Sequence, residues 1–72
     1  MSSSTKELKI NTEYITLDAA LKFSGIAMTG GEAKIMILEE NVSVNGEICT
    51  MRGKKLRKGD TFDAMGESFI II

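Results

Sequence analysis

Residues 29–60 read TGGEAKIMILEENVSVNGEICTMRGKKLRKGD, and a change of period inside this stretch decides the fold. Thr29-Gly30-Gly31-Glu32 has the form of a capping box. The pattern predicts that the Thr29 hydroxyl accepts from the amide of Glu32 while the Glu32 carboxylate accepts from the amide of Thr29. The helix it starts should run to about Glu39 or Glu40, with Ala33, Met36 and Ile37 on a core-facing side and Lys34 projecting at a different angle. From Asn41 onward the period falls to two. Val42 and Val44 point one way, Asn45-Gly46 supplies the two positive-φ positions of a type I′ turn, and Ile48 begins the return strand of a hairpin.

The flanking segments complete an α+β domain. On the N-terminal side, Thr16 is placed to cap a short helix over Leu17–Gly25, with Asp18 in its first turn and Gly25 ending it in the left-handed conformation. Leu17, Ala20 and Leu21 share one face, and Ile26 and Met28 after the turn are expected beneath it. Ile26–Thr29 is a short connection, which predicts an antiparallel or steeply crossed helix pair. Before them, Glu7–Asn11 alternates like a half-buried strand pairing at a sheet edge. On the C-terminal side, Arg52–Lys58 reads as an exposed basic connection anchored by Leu56. Gly59-Asp60 makes a turn, Phe62 and Ala64 alternate, Met65-Gly66-Glu67 turns again, and Ser68–Ile72 closes the sheet. The expected architecture is two short helices packed on a small, mostly antiparallel sheet. Residues 1–5 form a flexible start and 6–72 a single domain.

Composition excludes several classes of function. A chain of 72 residues buries only about 60% of its unfolded surface, too little for a large enzyme cleft. Its longest apolar runs fall far short of the roughly 18 residues a membrane span needs. The polar start Met1–Thr5 lacks the basic and apolar regions of a signal peptide, so a cytoplasmic location is expected. There is one cysteine and no histidine, so an internal disulfide and the usual zinc spacings are missing, and no metal, cofactor or small-molecule substrate is expected. Cys49 reads as a buried small apolar side chain. Asp18, Asp60 and Asp63 have no histidine to work with, and capping or turn roles explain the first two, so the protein reads as a non-enzyme. Tyr14, Phe23, Phe62 and Phe69 are the only aromatics, the three phenylalanines occupy positions suited to core packing, and base stacking is a poor fit.

The net charge of −1 conceals an uneven distribution. Residues 1–50 carry four lysines against seven acids, a balance of −3, whereas residues 51–72 carry five cations against three acids, a balance of +2. A local patch of this kind steers anionic partners even when the whole chain is acidic. Arg52, Lys54, Lys55, Arg57 and Lys58 repel one another, and the repulsion is relieved by a bound anion or by nearby carboxylates such as Glu39, Glu40 and Glu47. The start of the second helix is another candidate anion site. Its free amides and dipole favour phosphate, Gly30 and Gly31 allow close backbone approach, and Lys34 adds a charge one turn on. The same two glycines could instead relieve crowding in a tight turn between helices.

In order and spacing, Leu17-Asp18, Gly25-Ile26-Ala27, Gly31-Glu32-Ala33-Lys34, Val42–Glu47, Arg52–Leu56 and Gly59-Asp60 together resemble the S4-like RNA-binding domain, also called the alpha-L motif. The resemblance covers Thr16–Phe62, about two thirds of the chain. The pieces Thr29–Lys34 and Arg52–Leu56 look like the small free-standing bacterial members of YaaA or YbcJ type. The resemblance implies two helices on a small sheet, with structured RNA of the ribosomal or transfer class held between the second-helix start and the basic loop. On this chain Thr29, Gly30, Gly31 and Lys34 would meet the RNA backbone. Arg52, Lys54, Lys55 and Arg57, with Lys58, would form a charged rim, and Val44, Asn45 and Gly46 would be scaffold. Many members have arginine where this chain has Thr16, and Ser-Arg where it has Thr29-Gly30. Both changes shift recognition toward the 52–58 loop and the helix amides. Side chains of these types suit phosphate contacts and recognition by shape. The partners so implied are ribosomal or transfer RNA and ribosomal or ribosome-assembly proteins. The reading from another class is a protein-interaction module that meets an acidic surface on a ribosome-associated factor.

Overall fold

The computed structural model describes residues 5–72, so most of the expected flexible start, Met1–Ser4, lies outside the described residues. The elements run β1 (Lys6–Leu8), β2 (Ile15–Thr16), α1 (Leu17–Phe23), α2 (Gly30–Leu38), β3 (Val42–Val44), β4 (Glu47–Ile48), β5 (Lys55–Leu56), β6 (Thr61–Ala64) and β7 (Glu67–Ile71). Five strands form one sheet in the order β1-β7-β6-β3-β4, and β2 pairs with β5 in a separate two-stranded ribbon. All pairings are antiparallel except that of β1 with β7, which places β1 at an edge as the alternation predicts.

One core lies between the helices and the larger sheet. Leu17, Ala20 and Leu21 from α1 and Ala33 and Ile37 from α2 meet Val42, Val44, Phe62, Ala64, Phe69 and Ile71 from the sheet. Phe62 and Phe69 stand opposite each other on β6 and β7 and stack with ring centroids 5.0 Å apart. Such a pair adds about 0.5–1.5 kcal/mol beyond the area it buries. Asn45 and Gly46 take φ values of 50° and 87°, the geometry the hairpin requires,. At Gly25 φ is 86°, which ends α1 where expected,.

Several expectations are corrected. Phe23 is 70% exposed and Met28 83% exposed, not packed in the core. Phe23 lies off the face that Leu17, Ala20 and Leu21 present, and Met28 turns its backbone toward α2 and its side chain to solvent. The capping box is displaced by one residue. Thr29 Oγ1 accepts from the Glu32 amide at 3.1 Å as predicted, but the Glu32 carboxylate accepts from the amide of Met28 at 2.7 Å, not from that of Thr29. Thr16 does not cap α1 with its side chain. Its hydroxyl donates to Asp18 Oδ1 at 2.6 Å, and the same carboxylate oxygen accepts from the Ala19 amide at 2.8 Å. Cys49 is half-buried at the margin of the core, where the carbonyl of Met51 stands 3.8 Å from its thiol.

Candidate nucleic-acid interface

The 52–58 segment is not a free loop. Its centre is β5, which pairs with β2 in the register Ile15 to Leu56 and Thr16 to Lys55. Leu56 is fully buried, as the apolar anchor should be. The segment is also tied to the first turn of α1, because the amide of Leu17 donates to the carbonyl of Lys54 at 2.9 Å and that of Asp18 to the carbonyl of Arg52 at 3.1 Å. The first amides of a helix have no partner within it, and here the basic segment supplies two acceptors. Main-chain atoms hold the segment down, leaving the cationic side chains exposed.

The far end of the segment is fixed by the β3–β4 turn. Asp60 Oδ2 accepts from the Arg57 amide at 2.8 Å, and the Asp60 amide donates to the Arg57 carbonyl at 2.9 Å. Asn45 then reaches Asp60 Oδ1 through Nδ2 at 3.3 Å, while its Oδ1 accepts from the Thr61 amide at 3.0 Å. Asn45 thus joins the hairpin turn to the end of the basic segment.

The start of α2 lies beside this assembly. Gly30 faces Thr16, Asp18, Ala19 and Lys22 across a shallow groove, so the second-helix start borders the turn to which Arg52 and Lys54 are tied. The glycines have no packing duty. A Cβ at Gly30 would meet nothing within 4 Å, and one at Gly31 would make only an ordinary contact, 3.9 Å from Thr29 Oγ1. Relief of crowding therefore does not explain them. Among the described residues no acceptor meets the amides of Gly30 and Gly31. The Glu32 carboxylate nearby is held by the Met28 amide and opposes an anion on that side. Lys34 is exposed on the same side of α2 as Gly30, one turn on,.

The five cations have different neighbours. Lys54 borders a groove with the β3–β4 hairpin, Lys55 and Arg57 lie against the ring of Tyr14, and Arg57 and Lys58 border Asn11, Thr12 and Glu13. None makes an ion pair within 4.0 Å with Glu39, Glu40 or Glu47, although Glu47 lines the groove that Lys54 borders and Glu13 the groove that Arg57 and Lys58 border. Among the described residues the ion pair within 4.0 Å is that of Lys6 with Glu67, at the β1–β7 edge. Tyr14 and Lys22 are neighbours of the candidate residues that the sequence did not single out. The i, i+4 spacing from Asp18 could have placed Lys22 here, whereas Tyr14 is brought in by the β2–β5 register, which leaves no local signal. Among the described residues, no cluster of three or more Cys, Asp or Glu side chains forms a metal site, and no helix is long and apolar enough to cross a membrane.

A family model described as S4 domain matches residues 8–72. The chain is also similar to a protein of Bacillus subtilis (strain 168) named probable ribosome maturation protein RlbA, with 41% identity over 59 residues, 82% of this chain and 83% of the relative. The family match takes in both helices, the hairpin and the docked basic segment, and the chain belongs to the S4 domain family.

Proposed function

We propose that this protein is a non-enzymatic, ribosome-associated RNA-binding factor of the cytoplasm. It grips structured RNA of the ribosomal or transfer class by backbone phosphates. The observation that carries this reading is the set of five cations with no carboxylate within 4.0 Å among the described residues, displayed on a segment held by main-chain bonds beside the start of α2. Cations held without an internal carboxylate partner are ready to meet phosphates. Arg52, Lys54, Lys55, Arg57 and Lys58 supply the charge, and the amides of Gly30 and Gly31, with Thr29 and Lys34, receive a phosphate at the helix start. Membership of the S4 domain family and the ribosome-maturation name of the relative support the same class of partner. Ribosomal or ribosome-assembly proteins are the neighbours such a factor would have.

Fluorescence anisotropy with ribosomal and transfer RNA fragments tests the reading. If all five cations reach phosphates, log affinity falls with log salt at a slope of roughly −3.5 to −4.5. Lys54→Glu/Lys55→Glu should reduce the magnitude of that slope by about 2 and weaken every RNA alike. Its circular dichroism should stay unchanged, because those side chains do not anchor the segment. Absence of wild-type binding at low salt would turn the reading toward a protein partner with an acidic surface.

A further inference from the structure

The outer face of the β2–β5 ribbon carries Tyr14, Thr16, Lys55 and Arg57. Antiparallel register puts Tyr14 across from Arg57 and diagonal to Lys55, while Ile15 and Leu56 point to the other face,. The Lys55 ammonium lies 4.9 Å from the centroid of the Tyr14 ring and the Arg57 guanidinium carbon 5.9 Å from it. Tyr14 is 38% exposed, and the Thr12 hydroxyl, donating to the Tyr14 carbonyl at 2.8 Å, steadies the turn that presents it. An aromatic ring thus stands partly open to solvent beside Lys55 and Arg57.

Resting on the RNA-binding reading above, we propose that Tyr14 is a stacking platform for one unpaired base, flanked by the phosphate-binding Lys55 and Arg57. A ring face attracts cations, and in the free protein Lys55 and Arg57 use it in the absence of an opposite charge. Phosphates compete for both cations more strongly than a neutral ring does. Once drawn to the backbone on either side of a nucleotide, they leave the ring to the base, which stacks there. A fully paired helix keeps its bases inside and offers nothing to the ring. The site therefore favours RNA with a bulge, loop or end beside a stem.

The probes are an RNA hairpin with a single-nucleotide bulge and the same hairpin fully paired. The protein has one tyrosine and no tryptophan, so 3-fluorotyrosine gives a single fluorine resonance that reports Tyr14 in the unaltered chain. Both hairpins draw the cations off the ring and move that resonance a little, and the bulged hairpin should shift it clearly farther because a base then stacks on the ring,. Tyr14→Leu should weaken the bulged RNA roughly 5- to 150-fold and the paired RNA less than about threefold, while Tyr14→Phe keeps the preference. A resonance that answers both RNAs alike, or equal losses on both, would overturn the proposal and leave Tyr14 as a support for Lys55 and Arg57. If the wild-type protein binds neither RNA at low salt, the RNA-binding reading itself falls. Binding of both with a silent resonance defeats the stacking site alone.

Discussion

The side chain of Asn45 spans the hairpin turn, Asp60 and Thr61, so one residue sets both a left-handed backbone position and the far end of the basic segment. Asn45→Gly separates these duties, since glycine accepts the same φ but donates and accepts nothing through a side chain. The variant should lose about 1–2 kcal/mol of unfolding free energy, read from a urea transition. It should also loosen residues 57–60, seen as faster amide exchange at Arg57. The turn itself was legible, because Asn-Gly between alternating apolar residues has few other uses. The reach to Asp60 was not legible, because it depends on β3 pairing with β6 across intervening chain. Tyr14 was hidden for the same reason.

At the scale of elements, strong local patterns were readable and short ones were not. Both helices and the β3–β4 and β6–β7 hairpins have caps, turn residues or period-two alternation, and they lie close to where those signals put them. Strands β2 and β5 have two residues each and acquire their conformation from one another, so the basic segment read as a free connection. Phe23 and Met28 show the converse, since an apolar side chain off the buried face of a short helix or in the turn after it stays exposed. The β6–β7 turn offers a gain in stability. Met65 has a φ of 53° beside Gly66 at 77°, a left-handed conformation that strains most side chains but suits asparagine. Met65→Asn should raise the unfolding free energy by about 0.5–1 kcal/mol, measured as an upward shift of the urea midpoint with unchanged slope.

Taken whole, the molecule has little stability to lose. A domain of 72 residues typically has a margin of roughly 4–11 kcal/mol. Both helices, the sheet strands β3, β6 and β7 and Leu56 of the ribbon share one core, so among the described residues no second unit stays folded when the first fails. Phe62→Ala removes a fully buried ring and its stacking partner's contact. It should cost about 3–5 kcal/mol and lower Tm by more than about 12 °C, seen by circular dichroism as one transition moved down. The α+β class and the edge position of the first strand were legible, whereas the parallel partnership of β1 with β7 was not. Alternation shows that a strand exists but says nothing about the direction of a neighbour so distant in sequence.

The bonds from the Leu17 and Asp18 amides to the carbonyls of Lys54 and Arg52 have a consequence for how such a surface can change over generations. A carbonyl is common to every residue, so the tether reads no side chain. Mutation can rewrite the charges at positions 52, 54, 55, 57 and 58 while Leu56 and the main chain keep the segment seated. Descendants of one ancestral fold could thus exchange one RNA for another, or an RNA for a protein, without first passing through a misfolded intermediate.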